Sequence, residues 1–442
     1  MTLASIFDDL VIMGVFLMIG FVIREFVKPF QRWFLPTSVI GGIIALICGQ
    51  QVLGLVTIPE SFPSFNGVLM RIIMTCVVLG ISVNFVKMKN HLDYVFANTF
   101  LYGAQMLVGI GIMLLCTVVW PGMPKGWGIL GTFAYFGSHG GVGSAGQVLE
   151  EMGSSGAVGL GMILATGGLI FSMVVGMAVV NYGVKKGWAT FVKHAKDQPE
   201  YFYHGIMPKE NRESIGETTT TQVSVNVIAF HFALICVSYA LGRGIFKLLI
   251  AVCPILSKLN AMLYGLVGGL IVWQIVCAAK LDRFFDKRVF NQISGFCLEI
   301  LILTSMASMN LNLLSQYWFP LLVHILVSCS LTAAFILFWF KKIGNDQWFE
   351  KCVMVLGTCT GSSPNGLALV RAIDPDSKSC APEAHGVYNA IFWWNNLLTP
   401  ILPALILTNF ALTCGIAAAF VVVSLILAIF VFHKAFFRNA TA

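Results

Sequence analysis

Long apolar runs separated by short polar breaks dominate the chain. About 20 consecutive, mostly apolar residues are needed to cross a bilayer as an α-helix. Eleven such runs occur, at 7–25, 36–56, 66–86, 94–120, 155–181, 223–249, 259–279, 290–311, 317–340, 386–410 and 411–433, and each predicts a membrane-spanning helix. Two further stretches, 128–150 and 353–372, are rich in Gly, Ser, Thr and Asn. They predict re-entrant or broken segments rather than full crossings. The longest polar stretch, 182–222, holds charges of both signs and the run Thr218-Thr219-Thr220-Thr221. It reads as a linker, too short to enclose a core of its own.

Composition agrees. Of 442 residues, 57% are hydrophobic and 11% charged, with a mean hydropathy of +0.85. A soluble domain carries about 25% charged residues. A water-soluble enzyme, a nucleic-acid binder and a disordered chain are therefore excluded, and the chain is expected in a lipid bilayer. The net charge of +7 follows the loops. With the N-terminus outside, eleven spans place 22 of the 27 Lys and Arg on the cytoplasmic side, as positive-inside topology requires. Counting either short stretch as a crossing destroys that split. The C-terminus is then cytoplasmic. Asp8 and Asp9 stand at the start of the first run and no Lys or Arg precedes it, so the run is expected to be a retained span, not a signal peptide. The 12 cysteines are scattered without CxxC or metal-ligand spacing.

The linker separates two similar halves. Leu130-Gly131-Thr132 recurs as Leu356-Gly357-Thr358, Gly41-Gly42 as Gly268-Gly269, Phe65-Asn66 as Phe290-Asn291, and Asn84 as Asn310, all at offsets of 225–227. Each half has four spans, one Gly/Ser-rich segment, and one more span. Five crossings is an odd number, so the second half is expected upside down relative to the first. Inverted repeats with interrupted segments at matching positions mark secondary transporters and point to the substrate site. The expected fold is an all-α polytopic membrane protein. Its parts are a first inverted repeat over 1–181, the linker 182–222, a second repeat over 223–410, and an additional C-terminal helix and tail over 411–442.

The candidate chemistry lies in the interrupted segments. Irregular backbone at membrane depth is tolerated where it lines a cavity or is buried in protein. In GTFAYFGSHGGVGSAG (131–146), freed N–H groups suit a carboxylate, while carbonyls and hydroxyls suit Na⁺. Ser138, His139, Gly140 and Gly141 are the substrate candidates there, and Ser144 is a cation candidate. In GTCTGSSPNGLAL (357–369), Pro364 breaks the helix and Ser362, Ser363 and Asn365 offer uncharged donors and acceptors. Thr360 is the second cation candidate. Asn395 and Asn396 are expected to line the cavity from the tenth span. Glu299, the one acidic residue expected well inside a span, is a candidate for proton coupling or for pairing with Arg71. His231 and His324 read as structural. No GxxxxGK[ST] occurs, so ATP does not drive the protein directly. No catalytic role is assigned.

At these segments the sequence resembles the bacterial sodium/glutamate symporter family. Gly137-Ser138-His139-Gly140 is similar to that family's Gly-Gly-His-Gly hairpin, and Gly361-Ser362-Ser363-Pro364 to its second hairpin turn. Pro36 with Gly41-Gly42 is similar to its Pro-x-x-x-Gly-Gly pattern. The resemblance spans roughly 5–410. It implies a Na⁺-coupled importer of glutamate or a similar small anionic amino acid, in the bacterial inner membrane. It further implies a homodimer and an elevator-type mechanism. Departures are Gly141-Val142-Gly143 where the family shows Thr-Gly, and Cys359-Thr360 in place of a Gly-rich lead-in. The alternatives are a same-fold, H⁺-coupled transporter of another carboxylate or amino acid, and an anion channel.

Overall fold

The computed structural model describes residues 3–32, 35–80, 91–191, 209, 212, 214–220, 223–252, 261–343, 347–374, 378–392 and 395–433. Its regular secondary structure is helical, with no strand among the described residues. The helices are α1 (Leu3–Phe26), α2 (Lys28–Arg32), α3 (Thr37–Cys48), α4 (Phe62–Val78), α5 (Leu92–Val119), α6 (Leu130–Glu151), α7 (Ala157–Lys185) and α8 (Val227–Val252). Then follow α9 (Met262–Ala278), α10 (Lys287–Ala307), α11 (Leu311–Ile343), α12 (Trp348–Thr360), α13 (Ser363–Arg371), α14 (Ala381–Ile391), α15 (Asn395–Thr408) and α16 (Phe410–Val431).

Among the described residues, seven helices are long and apolar enough to cross a membrane: Ser5–Phe26, Leu92–Val119, Ala157–Lys185, Val227–Ala251, Lys287–Ala307, Ser315–Ile343 and Phe410–Val431. Four shorter apolar helices, Thr37–Cys48, Phe62–Val78, Leu263–Ala278 and Leu397–Thr408, occupy the other places where the sequence predicts spans. The expected run 36–56 ends as a helix at Cys48, because Gly49 leaves helical geometry and Gly54 takes a positive φ of 64°. The expected span 386–410 is two helices, α14 and α15, with Trp393-Trp394 outside the described residues. Most of the linker, including 192–208, and Asn84 also lie outside them.

The helices sort into two packed groups. In the first, α4 lies along α10, α1 and α3 pack on α10, and α8 and α9 pack on α4. Each outer pair has a small core. Met13, Phe16, Ala45 and Phe62 meet Ile300 and Leu303 on one side. Cys76, Leu79, Ile235 and Trp273 meet Phe290 on the other. The double glycines fit these crossings. A Cβ on Gly41 would strike the Phe16 carbonyl of α1, and one on Gly42 would sit 2.5 Å from Met306 Cβ of α10. A Cβ on Gly268 would strike the Ser238 carbonyl of α8, and one on Gly269 would sit 2.5 Å from Val78 Cγ2 of α4.

The second group holds α5, α6, α7 and α11–α16 around the largest core. Here α16 lies along α5, where Gly103 leaves room for the Ala417 carbonyl and for Phe420 Cβ at 2.7 Å. A buried ion pair joins α12 to α5: Lys351 Nζ donates to both Asp93 oxygens, at 3.0 and 2.8 Å. Lys351 is fully buried. Lys287 is also committed locally, donating to the carbonyls of Cys76, Val77 and Leu79 at the end of α4.

Candidate functional site

The segment 128–150 folds back on itself. Eight residues of unbroken helix span about 12 Å. Yet a Cβ on Gly141 would lie only 2.8 Å from the Phe133 carbonyl oxygen. The reversal falls at Ser138, whose φ of 51° and ψ of −150° are strained for a residue with a Cβ. Its returning arm packs on α7 through small residues: a Cβ on Gly146 would lie 2.8 Å from Val158 Cα.

His139 is buried at the reversal and points into α7. Its Nε2 lies 3.0 Å from Thr166 Oγ1 and its Nδ1 3.3 Å from Ser138 Oγ. The single Thr166 hydroxyl proton goes to the Met162 carbonyl, so His139 Nε2–H donates to Thr166. His139 therefore braces the turn from behind, while Gly137, Gly140 and Gly141 face the cavity. Ser144 is buried and its Oγ has no partner.

The segment 353–372 breaks at Gly361-Ser362. Gly357 and Gly366 lie so close across the break that a Cβ on Gly357 would strike the Gly366 backbone. Ser362 is extended and caps α13, its Oγ accepting from the Asn365 N–H at 3.4 Å and donating to Asn365 Oδ1 at 2.6 Å. Pro364 occupies the first turn of α13, where its missing N–H costs nothing. Asn365 is buried and donates to the Leu169 carbonyl of α7 at 3.4 Å. The carbonyls freed near the break are taken up by protein donors: Gln105 Nε2 donates to Cys359 O at 2.7 Å and Ser172 Oγ to Gly357 O at 3.4 Å. Thr360 Oγ1 donates within its own helix to Leu356 O at 2.7 Å. No hydrogen bond joins Thr360 to Ser144.

A cavity of about 590 Å³ lies between the two helix groups. Ile73, Met74 and Val77 of α4 and Leu298 of α10 form one wall. The opposite wall is built from Tyr102 of α5, Phe136 and the three glycines of the first hairpin, Tyr388, Asn389 and Phe392 around α14, and Asn395 and Thr399 of α15. Among the described residues no charged side chain lines it. The structure thus brings Gly140, Gly141 and Asn395 to one cavity. Ser138, His139, Ser362, Ser363, Pro364 and Asn365 are not among the residues that line it. The Asn396 side chain lies outside the described residues.

Ser363 is tied to the cavity indirectly. Its Oγ lies 2.9 Å from His385 Nε2, which also receives Asn389 Nδ2 at 3.0 Å. His385 Nδ1 meets Tyr94 Oη at 3.2 Å. Tyr102, Tyr388, Asn389 and His385 are absent from the sequence-derived candidates. One signal was readable, the i, i+4 spacing of His385 and Asn389, which places two polar side chains on one helix face. Glu299 Oε2 is buried without a partner, and no ion pair with Arg71 occurs among the described residues.

Among the described residues, seven helices of membrane-spanning length and composition, packed in two groups around a cavity, fit a multi-pass membrane protein. The chain belongs to the sodium/glutamate symporter family, whose model matches residues 3–375. The match includes both hairpins and ends before α14. Membership places the protein among the sodium/glutamate symporters, a family of transporters. No match was found among curated proteins.

Proposed function

We propose that this protein imports glutamate or a similar small anionic amino acid together with Na⁺. The observation that carries this reading is the uncharged cavity between the two helix groups, with the glycine tip of the first hairpin in its wall. An anion entering a site without a fixed positive side chain needs its charge offset at low dielectric, and a co-bound Na⁺ supplies that offset. Ser144 and Thr360 are the cation contacts of this proposal, and the unpartnered Ser144 Oγ favours that assignment.

The two halves act as inverted repeats with re-entrant hairpins. The matched double-glycine crossings support this, since each half uses one glycine against its own first helix and the next against the other half's third. The first helix group serves as scaffold. The second, carrying both hairpins, moves as an elevator, and two copies form a dimer. The N-terminus lies outside and the C-terminus inside.

Uptake of labelled L-glutamate into proteoliposomes tests this. An inward Na⁺ gradient drives accumulation, while K⁺ or pH gradients alone do not. Absence of uptake under every gradient by folded protein overturns the glutamate assignment. The buried, unpartnered Glu299 Oε2 favours H⁺ coupling as a second reading. Uptake driven by a pH gradient and abolished in Glu299→Gln would establish it instead.

A further inference from the structure

The hairpins supply only part of the cavity wall. Facing it from α5 and α14 are Tyr102 and Tyr388, 1% and 4% exposed. Their rings join one aromatic cluster, Tyr102 edge-on to Phe392 at 5.9 Å and Tyr388 stacked on it at 5.0 Å. Both hydroxyls are buried and have no hydrogen-bond partner. An unmade bond at a buried hydroxyl is costly. Two such donors in one cavity wall mark a place where the oxygens of a ligand complete the bonding.

Asn389 follows directly and is exposed to the same cavity. Its Nδ2 is committed to His385 Nε2 at 3.0 Å. An amide nitrogen only donates. The bond therefore turns Oδ1 away from His385 and leaves it as the acceptor of that amide. His385 is itself anchored, 9% exposed, between Tyr94 and the hairpin residue Ser363.

We propose that Tyr102, Tyr388 and Asn389 form the amino-acid recognition face of the cavity. The two hydroxyls donate to a substrate carboxylate, Asn389 Oδ1 accepts from its α-ammonium, and His385 is the positioning residue that fixes the amide. The proposal rests on the transport reading above and deepens it. The site discriminates for the ammonium group, so a simple dicarboxylate such as glutarate binds without the Asn389 bond.

The test is Na⁺-driven uptake of labelled L-glutamate into proteoliposomes, with glutarate as competitor. Asn389→Leu raises the glutamate KM about tenfold, the worth of one charge-assisted hydrogen bond, with Vmax nearly unchanged. Its inhibition by glutarate stays at the wild-type value. Tyr102→Phe and Tyr388→Phe weaken glutamate and glutarate in parallel. His385→Ala reproduces the Asn389→Leu pattern in weaker form, and His385→Gln, which keeps an acceptor for Asn389, restores the glutamate KM. A glutamate-to-glutarate ratio unchanged in Asn389→Leu overturns the proposal. For a variant without uptake, calorimetric titration with both ligands in Na⁺ decides, and loss of both in Asn389→Leu overturns it. Failure of the wild type to take up glutamate overturns the transport reading itself.

Discussion

Lys351 and Asp93 illustrate how much one side chain can carry. An ion pair sealed from water contributes little net stability, but removing one partner strands the other charge, at a cost of about 3–5 kcal/mol. Lys351→Met is therefore expected to lower the melting temperature of the detergent-purified protein sharply, and Asp93→Leu added to it to recover most of the loss. Two single variants that melt like the wild type would count against a buried pair. Asp286 acts at the surface. It caps α10 through the Arg288 N–H, and the Arg288 guanidinium hydrogen bond first of all holds its carboxyl down to about 2. A depressed carboxylate stabilises the fold fully above its unfolded value of about 3.9 and loses that contribution as pH falls through its folded value. Asp286→Ala should cost about 1 kcal/mol near neutral pH, with the gap to wild type closing between pH 4 and 2.

At the scale of elements, the two hairpins depend on different things. The second is closed by glycine contact, so Gly357→Ala forces apart the backbones of α12 and α13. It should abolish uptake and lower the yield of folded protein. Gly137→Ala, which meets nothing within 4 Å, should leave yield unchanged. Pro364→Ala should reduce uptake more than it reduces melting temperature, because Pro364 is exposed beside the turn and packs little. These segments were legible because Gly, Pro, Ser and Asn concentrate where helices break. The orientation of their side chains was not legible. His139 looks from its position like a ligand, but Thr166, 27 residues away, holds it on the far side of the turn. The end of α14 at Ile391 was hidden because the apolar run continues past it, and periodicity senses hydrophobicity rather than φ and ψ.

At the scale of the whole molecule, Gly41-Gly42 and Gly268-Gly269, matched at an offset of 227 residues, each sit at close helix crossings. Internal repetition is read from identities alone and survives weak similarity. The cavity wall formed by Tyr102, Tyr388 and Asn389 joins residues nearly 290 positions apart. Only tertiary packing brings them together, and no local motif announces it. The helix α16, expected as an addition to the two repeats, is seated on α5 at Gly103. Truncation after residue 409 should therefore lower the melting temperature and shift the protein toward aggregation on size exclusion. An unaltered melt would make α16 dispensable to the bundle.

The Asp93–Lys351 pair also bears on how the protein is made. Its members are 258 residues apart, so the ribosome delivers the acid long before the base. Until α12 arrives, α5 carries an unneutralised carboxylate among apolar helices. Afterwards, the nascent second half presents an ammonium whose carboxylate partner lies in the first half. Each half thus holds a charge that the membrane rejects and the other half accepts. When the two halves are expressed as separate chains divided in the linker, each alone should be degraded. Co-expressed, they should accumulate together, with Asp93→Leu abolishing that mutual rescue.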